Sequence, residues 1–184
     1  MTTHFIRRAL PIIALAIPAT VQAHPGHGIV DLSAGAVHPF LGADHLLAML
    51  AVGLLGAQLG GRARWAVPAA FVGALAVGFV GPAIPGVEHG VALSVLLLGT
   101  VLALALRLSL PVAASFAAVC GLFHGAAHGA EIPADAMGAL YGVGMVISSA
   151  ALHTAGFALG TTRTPLVRFS GASIAAVALG FFIF

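Results

Sequence analysis

The chain has 184 residues, 60% hydrophobic and only 7% charged, with a mean hydropathy of +1.12 and a formal charge of +2. Soluble domains carry roughly 25% charged residues, so this composition excludes a water-soluble globule and predicts an all-α integral membrane protein with no room for a second, soluble domain. Arg7 and Arg8 account for the net charge, and beyond them five arginines face five acids, which asks for no nucleic acid. There is no lysine, hence no phosphate-binding loop of the usual Gly-Lys kind, and the single Cys120 excludes an intramolecular disulfide and a Cys-rich metal site.

Residues 1–23 read as a cleavable signal peptide. Arg7 and Arg8 form the positive region, Ala9 to Ala19 a short apolar core, and Val21-Gln22-Ala23 a small-residue cleavage site. Pro11, Pro18 and the short apolar length disfavour an uncleaved span. The mature domain, residues 24–184, then begins His24-Pro25-Gly26-His27. Crossing about 30 Å of hydrocarbon takes roughly 20 apolar residues per helix. Six segments fit: Gly42 to Gly60 (or from Leu32), Trp65 to Ile84, Val87 to Leu106, Leu110 to Ala130, Ala134 to Gly160, and Leu166 to Phe184. Their runs are continuously apolar where barrel strands would alternate, so helices are expected. Glycines four apart, at Gly56/Gly60, Gly121/Gly125/Gly129, Gly138/Gly142 and Gly156/Gly160, suit close helix packing.

A cleaved leader puts the mature N-terminus outside. Arg62, Arg64, Arg107, Arg163 and Arg168 then all fall on inside loops or span ends, while Asp31, Asp44, Glu88, Glu131 and Asp135 fall outside. Every arginine of the mature chain thereby obeys the positive-inside rule.

On this topology the polar residues gather at one face. His38, Asp44 and His45 lie at the outer end of the first span, Glu88 and His89 open the third, and His124, His128 and Glu131 close the fourth. Ionisable groups inside a membrane mark functional sites by default, and imidazole with carboxylate suits a borderline divalent ion such as nickel, cobalt or zinc. His124 and His128, four apart, share a helix face and can chelate one ion, with Glu131 as ligand or orienting group; the alternative is hydrogen bonding to neighbouring helices. Gly125-Ala126-Ala127 between them lacks the glutamate of a zinc protease. On a continuous helix His38 and His45 would stand about 10 Å apart along the axis, so sharing an ion requires the chain to turn at Pro39–Gly42 and restart near Asp44. Otherwise His38 is an interfacial loop residue and Asp44 a helix cap. Further candidates are Glu88, His89, the N-terminal pair His24 and His27, and His153 as an inner relay or a polar helix contact. Met49, one turn below His45, is a soft ligand or core.

Two motifs, His38-Pro39-x-x-Gly42-x-Asp44-His45-Leu46-Leu47-Ala48-Met49 and Phe123-His124-Gly125-x-Ala127-His128-Gly129-x-Glu131, make the chain resemble the HupE/UreJ family of nickel/cobalt permeases. The resemblance, with leader and six spans, covers the whole chain. It implies uptake of Ni²⁺ or Co²⁺ as transported substrate across a bacterial inner membrane, supplying nickel enzymes such as hydrogenase or urease, with no retained cofactor and no catalysis. The reading of a different class is a membrane metalloprotein that keeps its cofactor, such as a bis-histidine haem protein or a metal-dependent enzyme.

Overall fold

The computed structural model describes residues 32–132, 138–161 and 164–183. The leader, His24, His27, Asp31, Asp135 and Arg163 lie outside the described residues. Within them the chain is α-helical, without a strand: α1 Leu32–Leu41, α2 Ala43–Leu59, α3 Ala63–Val80, α4 Val87–Ala103, α5 Leu110–Glu131, α6 Gly138–Gly160 and α7 Thr164–Gly180. Helices α3, α5 and α6 are each long and apolar enough to cross a membrane, and α1 with α2 makes a further candidate span bent by 88°. Helices α4 and α7 are apolar but shorter.

Helix α4 stops short of the expected Leu106 for a local reason. Ala105 takes a left-handed φ of 51°. The Leu106 N–H then donates to the Val101 carbonyl and the Ala105 N–H to the Leu102 carbonyl, both at 3.0 Å. This is the Schellman arrangement, with alanine where glycine is usual. Between α2 and α3 the turn is made by Gly60 and Gly61, both with positive φ, which glycine adopts without a Cβ penalty. Gly60 is therefore a turn residue rather than the packing residue that its spacing suggests.

Helices pair through reciprocal glycines. A Cβ at Gly121, Gly125 or Gly129 of α5 would collide with the Phe71, Leu75 or Phe79 carbonyl of α3, and one at Gly78 of α3 with the Leu122 carbonyl of α5. Gly53 of α2 lies against the His153 carbonyl of α6, and Gly156 of α6 against Leu50 of α2. Gly99 and Gly171 join α4 to α7 in the same way, and Gly35 and Gly144 join α1 to α6. Lipid tails are as apolar as leucine, so close backbone approach rather than hydrophobic burial drives such association.

Large apolar side chains clothe the outside, with Trp65, Val80 and Phe169 at 71%, 82% and 70% exposure. An apolar shell of this extent belongs in lipid, and the protein is a multi-pass membrane protein. Inside lie Met49, Leu55, Phe71, Leu75, Leu98 and Met145, all fully buried. At the arginine end, Gln58 Nε2 donates to the Leu106 carbonyl (3.0 Å) and Arg168 Nε to the Ala103 carbonyl (3.1 Å). Asp44 in the first turn of α2, Glu88 in the first turn of α4 and Glu131 at the end of α5 occupy the opposite helix ends.

Candidate metal centre

The break between α1 and α2 builds the site. Pro39 lies inside α1, where it lacks the N–H that would bond one turn back, and the helix ends two residues later. Gly42, in extended conformation (φ −96°, ψ 121°), makes the corner, and its carbonyl accepts the Leu46 N–H at 3.0 Å. Its φ does not require glycine, and a Cβ there would meet only the Asp44 Oδ1 side-chain end at 2.8 Å, which a small shift relieves. The turn thus falls at Gly42, with α1 running through Pro39. His38 and His45 end with ring centroids 6.0 Å apart.

The C-terminal turn of α5 completes the group. The His128 ring lies 4.8 Å from His38 and 4.2 Å from His45, centroid to centroid. Glu131 Oε2 is 3.1 Å from His38 Nε2 and 3.9 Å from His128 Nδ1. His38, His45, His128 and Glu131 each offer one ligand atom, and these atoms lie within 4.8 Å of one another. His45 and His128 are buried, whereas Glu131 is exposed, so the group is closed on the protein side and open at the helix ends. Within the protein no hydrogen-bond partner reaches His45 Nδ1 or either nitrogen of His128. Buried polar atoms are ordinarily satisfied, and the unpartnered His128 ring beside His45, whose Nδ1 has only the Asp44 carboxylate next to it, suits a ligand that takes several donors at once.

Asp44 and His124 stand beside this group. Asp44 Oδ1 accepts the His45 backbone N–H at 2.8 Å. It also lies 2.9 Å from His45 Nδ1, without hydrogen-bond geometry. Its place is that of an acidic residue in the first turn of α2, favoured by the helix dipole, and it fixes the charge next to the His45 ring. The fully buried His124 has its ring 5.1 Å from His45. Its tautomer can be worked out. Ser94 Oγ donates its one proton to the Val91 carbonyl (2.7 Å) and lies 3.0 Å from His124 Nε2. Ser94 therefore accepts from Nε2–H, and the partnerless Nδ1 carries the free lone pair.

The spacing of His124 and His128 suggests one chelating pair; the structure gives His128 to the four-residue group and His124 to Ser94. Glu88 and His89 are exposed and outside the group. Helix α4 contributes instead through Ser94, which sequence reasoning passes over because a lone serine in an apolar run carries no signal. Tyr141, whose ring is 5.7 Å from His38, is also missed; its being the one tyrosine of the chain was the available hint. His153 is buried in α6 away from the group, and Met49 is core.

The sequence profile of the family described as HupE / UreJ protein matches residues 12–181. The chain is 37% identical over 156 residues to Protein HupE of Rhizobium leguminosarum bv. viciae, covering 83% of this chain and 82% of that one. No solved structure matches it.

Proposed function

The chain belongs to the HupE/UreJ family, and from that premise we propose that it is a permease for divalent nickel, with cobalt as the neighbouring substrate. The observation that carries the reading is the convergence of His38, His45, His128 and Glu131 ligand atoms within 4.8 Å. Three imidazoles and one carboxylate match a borderline divalent ion. The crowding of the rings, 4.2 Å between His45 and His128, suits a small ion and leaves no slot between them for a macrocycle, which weighs against haem.

On this reading the leader, residues 1–23, is removed, residues 24–184 form six spans in the bacterial inner membrane, and both mature termini face the periplasm. The short helices α4 and α7 count as spans, and α1 with α2 as one broken span; irregular backbone at membrane depth is tolerated where it lines a cavity. The ion enters at the acidic helix ends and exchanges waters for Glu131, His38, His128 and His45. Asp44 holds charge beside His45, and the Nδ1 lone pair of His124 is the next ligand inward. Glu88 and His89, with the N-terminal His24 and His27, act at most by concentrating the ion at the entrance. No cofactor is retained, no bond is made or broken, and the nickel delivered serves enzymes such as hydrogenase or urease.

The test is radiolabelled nickel uptake by cells expressing the chain, run beside cobalt, zinc and manganese and normalised to inserted protein. His45→Ala and His128→Ala should each lower uptake by at least about tenfold, the scale on which metal-site substitutions act. Normal insertion with wild-type uptake in both variants would refute the site.

A further inference from the structure

His153 offers a second place for the ion. It lies in α6 at 3% exposure, and neither ring nitrogen has a hydrogen-bond partner in the protein. One turn earlier, Ser149 is fully buried and its Oγ is equally unpartnered. His153 lines a cavity of about 180 Å³ together with Arg64, Trp65, Pro68, Thr154 and Phe157. Arg64 and Trp65 start α3 at the arginine end, so this cavity belongs to the opposite half of the bundle from the entry group.

Two connections lead to it, one from His124 beside the entry group and one from Tyr141 against His38. Phe71, fully buried, has its ring 5.5 Å from His124 and 5.2 Å from His153. In addition, Tyr141, Met145, Ser149 and His153 follow one another at four-residue steps along α6, all buried, so they form one ridge about 18 Å long. The ridge begins with Tyr141 against the His38 ring and ends at the cavity. Its members offer a phenol oxygen, a thioether, a hydroxyl and an imidazole, a succession of donors where packing alone would be served by leucine and valine.

We infer that His153, with Ser149, forms a second, inner station for a divalent transition-metal ion, opening into the cavity at the arginine end and divided from His124 by the Phe71 ring. The inference rests on the transport reading above and adds the route's second half. Beside His153 the cavity lining offers the Thr154 hydroxyl and the Arg64 guanidinium among the apolar Trp65, Pro68 and Phe157. The ion at this station takes one imidazole nitrogen of His153. Arg64 lines the same space, its guanidinium 5.5 Å from the Trp65 ring centroid. A fixed positive charge there opposes long residence, so the station passes the ion on rather than storing it.

The experiment uses the full chain in proteoliposomes with Ni²⁺ as the probe. His153→Ala should lower uptake by at least about tenfold while nickel binding at the entry group is unchanged. In a Cys120→Ala background, His153→Cys should react with a membrane-impermeant thiol reagent added from the arginine side, and Ni²⁺ should slow that reaction. This second measurement decides the matter alone if His153→Ala does not insert. Wild-type uptake that His153→Ala leaves unchanged, or a thiol reaction of the His153→Cys variant that is indifferent to nickel, overturns the inner station only. Failure of the unmodified protein to take up nickel would overturn the transport reading and the station together.

Discussion

Gly125 lies between His124 and His128, and its lack of a side chain sets how far α5 stands from α3. A Cβ at this position would sit 2.8 Å and 2.9 Å from the Leu75 carbonyl carbon and Cα, with the carbonyl oxygen nearer still. All are backbone atoms and cannot swing away. Restoring ordinary contact to that oxygen, at about 3.4 Å, requires the helices to separate locally by more than about 1 Å, and overpacking of this kind costs about 1–3 kcal/mol or more. The gain in helix propensity from Gly to Ala, about 1 kcal/mol, offsets part of that. The larger consequence is at the site: His128 rides on α5 whereas His45 and His38 do not, and ligand distances tolerate only about ±0.2 Å. Gly125→Ala should therefore melt earlier in detergent and bind nickel at least about tenfold more weakly by equilibrium dialysis. Gly73→Ala on α3 is the control, since its Cβ would meet nothing within 4 Å, and it should bind nickel normally and melt no earlier than the parent. Wild-type nickel affinity and melting in Gly125→Ala would refute the idea that α3–α5 contact positions the histidines.

Ala105→Gly should stabilise the protein by about 1 kcal/mol, because a non-glycine left-handed residue costs roughly 1–2 kcal/mol and glycine's extra unfolded-state freedom returns only part of that; an unchanged or lower melting temperature contradicts the α4 terminus described above. Ser94→Ala removes the acceptor that fixes the His124 tautomer and should slow nickel uptake while leaving binding at the entry group intact, measured on the same preparation. Protons and nickel compete for the same imidazole nitrogens, so acidification should weaken nickel binding in equilibrium dialysis. Affinity indifferent to acidification would argue against histidine ligation.

Much of the helix plan could be read from the sequence, since long apolar runs and segregated charge are one-dimensional signals. The broken first span was legible too: a step of seven positions from His38 to His45 is too far along a straight helix for a shared ion, and Gly42 was an available corner. The corner fell at Gly42 alone, with Pro39 kept inside an α1 that lies against α6 through Gly35 and Gly144, and neither contact is readable along the chain. The early stop of α4 was hidden because an alanine announces no left-handed φ. The separation of His124 from His128 was hidden for a different reason. Spacing along one helix shows which residues share a face, but Ser94, thirty positions away, decides which of the two is already engaged. Pairing of helices through glycines was foreseen as a kind of contact; which glycine meets which carbonyl is a three-dimensional fact.

The central claim is that three imidazoles and one carboxylate, from His38, His45, His128 and Glu131, hold the ion together. Nickel K-edge X-ray absorption of the purified full chain at one equivalent of Ni²⁺ tests it most directly. Ligation by this group predicts the multiple-scattering signature of more than one imidazole around the nickel, largely lost in the His45→Ala/His128→Ala double variant. A spectrum of oxygen ligands alone, as for the hydrated ion, or an imidazole signature that survives the double substitution, would contradict it.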